Sequence, residues 1–331
     1  MNVYLVALLR ILAALGLMLL NGVVLIYMLR KVLGYLHVRL GPMELGPHGV
    51  FQTLADVLKL LTKEDPTPTH VDRALYFLAP GIVFVPSLMA YAAIPFTGTW
   101  VIADLELGLL YTFAIMSLLP LGLVAAGWAS ANKWSLIGGM RSVAQQVSYE
   151  VPLLMAALPP VMIAGSLNLT DIARAQSAVW FWLPCLPAFL LFIVAGLVEA
   201  NQTPFDMSEA ESELVAGFAT EYASMKFGLL FLSEFSNTFI FSSLLVTLFL
   251  GGWQVPFVPV DALGGWAAVV FLIKVYLVIF VLMWIRGTLP RVRIDQLLAM
   301  GWKVLLPASI VWVMLTGAAV KLWPMVFGGV Q

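Results

Sequence analysis

Long apolar runs alternate with shorter polar ones along the chain, and the runs come in one size class. Eight of them approach or exceed the ~20 mostly apolar residues that a helix needs to cross a bilayer: 3–29, 74–95, 107–128, 151–167, 178–198, 224–250, 266–285 and 304–323. The fourth is the shortest and opens beside Glu150. Pro80 and Pro86 lie inside the second, Pro184 and Pro187 inside the fifth. An interior proline frees a backbone carbonyl and kinks the helix, which lipid tolerates only where protein neighbours re-satisfy the freed group. The pattern predicts an all-α integral membrane protein of eight transmembrane helices, packed as one bundle over residues 1–331.

One polar stretch has a periodicity of its own. Over about 50–63, Phe51, Leu54, Leu58 and Leu61 recur at spacings of three and four, with Gln52, Asp56, Lys59 and Lys63 on the other face. That is an amphipathic helix too short to span, expected to lie in the membrane interface. Its role is either a surface anchor or the wall of a binding cavity. No repeat period is visible, and no matched pair of Gly- or Pro-broken spans marks an inverted-repeat transporter.

Composition agrees with the pattern. Hydrophobic residues make up 62% and charged residues 11%, against roughly 25% charged in a soluble domain. A formal net charge of −1 gives no reason to expect a nucleic-acid partner. Cys185 is the single cysteine, and His37, His48 and His70 are scattered without ligand spacing, so no metal or cysteine-ligated cluster is expected. The first run lacks a basic leader and is longer than a signal peptide's core of ~7–15 residues, so it is read as a retained first span.

The bases set the orientation. Arg30, Lys31, Arg39, Lys59, Lys63, Arg73, Lys133, Arg141, Lys226, Arg286, Arg291, Arg293 and Lys303 fall in or beside the odd-to-even loops. The opposite side holds only Arg10, Arg174 and Lys321. By the positive-inside rule these loops, with the amphipathic helix, face the cytoplasm, and both termini lie on the outer (periplasmic) side.

The acids are concentrated. Of eighteen, seven fall in one stretch of the chain: Glu199, Asp206, Glu209, Glu211, Glu213, Glu221 and Glu234. Pro204 ends the fifth helix, and Ser208 with Glu211 fits a capping box that starts a new one, Asp206 with Glu209 an alternative start. In that helix Glu209 and Glu213 would share a face, and Glu221 would lie roughly 80° round from Glu213. Close carboxylates repel, so in a low-dielectric setting some hold protons near neutral pH and can titrate as a group. The competing reading is a solvated acidic loop beside a helix N-terminus. Against it stand the apolar residues interleaved with the acids and Glu234, roughly 10–15 Å deeper inside the sixth span.

Other charges leave alternatives open. Glu150 is either an interfacial charge or part of a path, and Lys274, deep in the seventh span, either a proton relay or half of a structural ion pair. The loop with Arg286, Arg291, Arg293 and Asp295 suits a docking surface or headgroup site as well as simple anchoring. Asp104, Glu106, Asp171 and Asp261 fall in outer loops and read as solvated. No dinucleotide fingerprint, phosphate loop or nucleophile motif occurs. Electrons, if the protein handles them, arrive from elsewhere.

Several stretches resemble a known family: RKVLGYLHVRLGP, LADVLKLLTKED, GGMRSVAQQVSYEVPL, EANQTPFDMSEAESELVAGFATEYASMKFGLLFLSE and RGTLPRVRIDQLLAMGWKVLLP, in that order. They are similar to the first-membrane-subunit family of proton-pumping NADH–quinone oxidoreductase (respiratory complex I). The resemblance implies an eight-span subunit of the bacterial inner membrane that helps form the quinone chamber and starts a carboxylate path. Quinone, ubiquinone or menaquinone, would be the substrate, with flavin and iron–sulfur clusters only in partner subunits. The implied partners are the hydrophilic redox-arm subunits on the cytoplasmic side, small membrane subunits, antiporter-like subunits and lipids. Matching the acidic path are Glu150, Glu199, Asp206, Glu209, Glu211, Glu213, Glu221 and Glu234. Matching the chamber or its entrance are Arg30, Arg39, Asp56, Glu64, Arg291 and Arg293, with Asp295 alongside.

The chain also departs from the family pattern. Leu29 stands where an acid is usual, Met43 where asparagine is frequent, and Glu44 where arginine or an apolar residue is common. Gln202 replaces an arginine, which is expected to deprive Asp206 and its neighbours of their nearest cation. Altered proton affinities, or an unusual quinone or donor, would follow. Two other functions fit the pattern less closely: the homologous anchor of a membrane-bound hydrogenase or of a ferredoxin or other-cofactor dehydrogenase, and an autonomous proton or cation transporter.

Overall fold

The computed structural model describes residues 3–208, 211–256 and 264–327. Their regular structure is all helical, with no strand among the described residues. Seven helical segments among them are long and apolar enough to cross a bilayer: Leu8–Leu36, Arg73–Ala93, Gly108–Ala129, Lys133–Ala164, Ser224–Phe249, Ala267–Thr288 and Ile294–Leu322.

The difference from the predicted eight lies in the fifth window. Its helix, α8, runs only over Leu186–Glu199, about 21 Å at 1.5 Å per residue. Pro184 and Pro187 explain the shortening. A residue that precedes a proline is pushed out of the helical region, so the chain turns through 181–185 and the helix starts where Pro187 lacks no needed donor.

The fourth window errs the other way. Helix α6 covers Lys133–Ala164, capped by Asn132, whose side chain accepts from the Trp134 N–H at 3.0 Å. Glu150 therefore sits inside a long helix rather than at its mouth. The polar segment RSVAQQVSYE hid this, because its polar side chains face protein, not lipid: Ser142, Gln145, Gln146, Ser148 and Tyr149 are all buried.

The remaining elements include two short helices outside the predicted windows, and the eighth apolar segment starts at Ile294 rather than at 304. They are α1 (Val3–Leu36), α2 (Gln52–Thr62), α3 (Arg73–Ala90), α4 (Gly108–Met116), α5 (Leu119–Ala129) and α7 (Leu169–Arg174). After α8 come α9 (Glu211–Leu214), α10 (Ser224–Phe249), α11 (Ala267–Thr288), α12 (Ile294–Met300) and α13 (Leu306–Phe327). Helix α10 is the axis: it packs against α1, α2, α3, α7, α8 and α11, and is buried along almost all its C-terminal half. The ring of Phe241 lies so close on α8 that a Cβ at Gly196 would collide with it; Phe192 stacks on the same ring at 5.2 Å.

The outer helices turn their large side chains outward. Leu8, Ile11, Leu12 and Leu20 on α1, Leu277 and Val281 on α11, and Val311 and Met314 on α13 are all exposed. An exterior so apolar suits hydrocarbon and not water. The polar residues are drawn inward instead, where Ser236, Asn237, Ser242 and Thr247 of α10 are buried.

Candidate functional site

The site gathers where the loop after α8 meets α6, α10 and the loop after α11. Helix α8 ends at Glu199, which is buried. Gln145 of α6 holds that end by donating to the Val198 carbonyl at 2.7 Å and to Asn201 Oδ1 at 3.1 Å. Asn201 takes a left-handed conformation (φ 51°), and the Thr203–Pro204 peptide is cis. The loop is then sewn to the basic segment after α11: Val292 N–H donates to the Pro204 carbonyl at 3.1 Å. Asp206, buried, accepts from Arg291 Nη2 at 3.4 Å.

Gln202 occupies the centre of this junction. Its Nε2 donates to Glu234 Oε1 and to Thr238 Oγ1, each at 3.2 Å, while its Oε1 accepts from Arg286 Nη1 at 2.8 Å. Arg286 Nη1 also stands 3.7 Å from Glu234 Oε1. The expected shortage of positive charge is therefore not what the structure contains. Asp206 has Arg291, and Glu234 has Arg286, both supplied by the end of α11 and the loop beyond it.

The acidic helix expected from the capping box does not form as predicted. Glu211 opens α9, which ends at Leu214. Val215 (φ 67°) and Gly217 (φ 52°) then turn left-handed, which breaks the helix before it reaches Glu221. The angular relation between Glu213 and Glu221 on one helix is thus absent. Glu209, the other member of the predicted shared face, lies outside the described residues. Ser208 Oγ, the predicted cap, is buried and has no hydrogen-bond partner among the described residues. Gly217 lies against Gly138 of α6, whose missing Cβ would approach Gly217 Cα to 2.8 Å.

Glu213 and Glu221 each have a side-chain partner. Glu213 forms a close ion pair with Arg141 of α6. Glu221 accepts from Asn132 Nδ2 at 2.7 Å, and its carbonyl accepts from Tyr76 Oη at 2.7 Å. Glu150 lies half-buried on α6, close enough to Glu199 for their charges to interact. Glu234 and Asp206 are within the same kind of range.

The residues that the family resemblance assigns to a chamber or its entrance fall into two groups. Arg30 forms an ion pair with Asp56, and Lys59 stands 3.8 Å from the same carboxylate. These contacts tie α2 to α1 by its polar face, while Phe51, Leu54, Leu58 and Leu61 remain exposed. Ser224 (φ 53°) fastens the other end of α2, its Oγ donating to the Leu60 and Lys63 carbonyls at 2.9 and 3.1 Å. Lys226 pairs with Asp65 at 2.8 Å and stands 3.8 Å from the centre of the Phe77 ring. Arg39 and Glu64 are exposed and form no ion pair among the described residues. Arg293 and Asp295 pair with each other at 3.3 Å on the outside of the loop, so of the two arginines only Arg291 turns toward the acids.

Lys274 is set apart from all of these. Its Nζ donates to the carbonyls of Leu250, Gly252 and Gln254 at 2.8, 2.9 and 2.5 Å, and lies 4.3 Å from the centre of the Trp180 ring. Those carbonyls belong to the far end of α10 and the turn beyond it, about 24 Å along the helix from Glu234.

Known proteins share this sequence over most of its length. The model of the NADH dehydrogenase family matches residues 9–317. The NADH-quinone oxidoreductase H subunit of Geobacillus kaustophilus is 52% identical over 297 residues, 89% of this chain and 87% of its own length. The corresponding H subunits of Paramagnetospirillum magneticum and Rhodospirillum rubrum are 46% and 45% identical, each over 88% of this chain and over 85% and 86% of their own lengths. The chain belongs to the family of NADH–quinone oxidoreductase H subunits.

Within that family assignment, sequence reasoning missed three side chains that the geometry singles out. Arg286 was legible only as one base among several in a loop. Gln202 looked like a loss, because its partners are set by a fold that the sequence does not display. Gln146, buried on α6, lies inside one of the stretches that carry the resemblance, but nothing in its sequence context singled it out.

Proposed function

We propose that this chain helps form the quinone chamber of an inner-membrane, proton-translocating NADH–quinone oxidoreductase and carries the first carboxylates of its proton path. The observation that supports this most directly is the chain of contacts Arg291–Asp206 and Arg286–Gln202–Glu234. It joins a basic loop at the edge of the bundle to an acid held inside it. Burial makes the charge state of such an acid depend on its neighbours.

Quinone is the substrate in this reading. Electrons arrive from iron–sulfur clusters in the hydrophilic redox-arm subunits, which also hold the flavin and dock on the basic face. Reduction to quinol takes up two electrons and two protons. The resulting change of charge beside Arg30, Asp56 and Arg291 alters the Asp206–Arg291 pair, and Glu234 responds through Gln202 and Arg286. From there protons pass by way of Glu150 and Glu199 toward the small membrane and antiporter-like subunits. Glu213 and Glu221 line the approach, Glu209 and Glu211 are assigned to the same path by the family resemblance alone, and Arg39, Glu64, Arg293 and Asp295 belong to the rim and the docking face. Helix α8, with the turn before it, is the eighth crossing, which leaves both termini on the outer side.

The test is Glu234→Gln in the assembled complex, reconstituted in vesicles with NADH and a quinone. Protons pumped per electron are expected to fall by more than half. An unchanged ratio at unchanged quinone-reduction rate would sink the path through this residue.

A further inference from the structure

A small cavity between α3, α5, α6, α10 and the loop after α8 is lined by polar groups whose hydrogen bonds the fold does not satisfy. Gln146, on α6, is 1% exposed, and neither Oε1 nor Nε2 of its amide has a partner among the described residues. Ser208 Oγ, also 1% exposed, is in the same condition. Both line one cavity, together with Asn201, Glu234 and Asn237. The volume open to the centre of a water molecule is about 20 Å³, room for a single water by the usual measure of ~10–15 Å³ each.

Leaving an amide and a hydroxyl buried and unbonded is costly, and a water that makes about three hydrogen bonds is the usual remedy. The walls suit one. The polar members can supply donors and acceptors on several sides, and the aliphatic side chains of α3 and α5 close the rest.

We propose that Gln146, Ser208 and Glu234 bind a water molecule here, and that this water is the proton carrier next to Glu234. Gln146 is a positioning residue: its amide orients the water and does not itself carry the proton. It is well placed to do so, because Glu150 lies four residues further on α6, on the same face one turn along. Glu150 in turn faces the charge of Glu199. The cavity so borders Glu234 of α10 on one side and, through Gln146, lies one turn of α6 from Glu150. This inference rests on the carboxylate-path reading given above.

The experiment uses the assembled complex with Gln146→Leu, and with Gln146→Met and Ser208→Ala as variants of different shape. Two quantities are read: density for a water within hydrogen-bond distance of residues 146 and 234 in a high-resolution map, and protons pumped per electron. In the wild type the water is expected, and in Gln146→Leu and Gln146→Met it is lost while pumping slows roughly tenfold relative to electron transfer. Should Gln146→Leu fail to assemble, the other two variants carry the same readouts, with Ser208→Ala showing the smaller effect. No water density in a wild-type map that resolves other buried waters would overturn the proposal. So would pumping at the wild-type ratio in the Gln146 variants. If those variants pump normally while Glu234→Gln does not, the water is wrong and the path stands. If Glu234→Gln also pumps normally, the path itself fails.

Discussion

Arg286 and Glu234 meet through Gln202: the guanidinium donates to the Gln202 carbonyl oxygen at 2.8 Å, and the amide nitrogen of the same side chain reaches the carboxylate at 3.2 Å. A neutral residue thus bridges a cation and an anion from two different spans. An arginine at 202 would face Arg286 at hydrogen-bond distance, so the glutamine and Arg286 fit each other as a pair.

That fit predicts a compensation. Gln202→Arg sets two guanidinium groups together and is expected to lower both assembly and pumping. Arg286→Gln leaves a buried carboxylate without its cation, at a cost on the order of 3 kcal/mol. The double variant restores one cation beside the same carboxylate oxygen of Glu234 and is expected to recover most of the loss. Pumping ratios of the three complexes in vesicles check this, and a double variant as poor as the worse single one refutes it.

Glu213→Gln separates function from stability. The Glu213–Arg141 pair is partly solvated, the carboxylate 49% exposed, so its contribution to stability is below about 1 kcal/mol. The variant complex is expected to melt within a degree or two of the wild type but to pump fewer protons per electron. Normal pumping would remove Glu213 from the path.

The clasp between α2 and α10 can be opened selectively. Ser224→Ala frees the Leu60 and Lys63 carbonyls, each hydrogen bond being worth about 1 kcal/mol. Amide protons near the end of α2 should then exchange roughly five- to thirtyfold faster. Because α2 carries Asp56 and an exposed apolar face, the KM for quinone is expected to rise more than kcat falls. Unchanged exchange in α2 would show that Ser224 does not hold it.

How much of this was legible in the sequence depends on what the surroundings impose. A bilayer dictates helix length, so the second, third, sixth and seventh apolar runs and the amphipathic helix could be read within a few residues from their pattern alone. The start of α6 could not, because RSVAQQVSYE faces other helices and a polar buried face looks like a loop. The break at Val215 and Gly217 was hidden because a good helical pattern of acids continues straight across it. Asp206 and Glu234 were legible as unusual, but Arg291 and Arg286, their partners, come from a distant loop that only the packed bundle brings near. Lys274 was legible as deep and in need of a partner, though three carbonyls meet that need rather than a carboxylate.

Those three carbonyls give the last prediction. If Lys274 were a proton relay, its removal would uncouple the complex while sparing the fold. As the cap of the C-terminal end of α10, it contributes stability: Lys274→Met leaves the Leu250, Gly252 and Gln254 carbonyls without their shared donor inside the bundle. With about 1 kcal/mol for each lost bond, the variant complex should melt several degrees lower and lose subunits sooner in detergent. The molecules that remain intact should pump the normal number of protons per electron. A variant of wild-type thermal stability with a lowered pumping ratio would reverse this assignment and return Lys274 to the proton path.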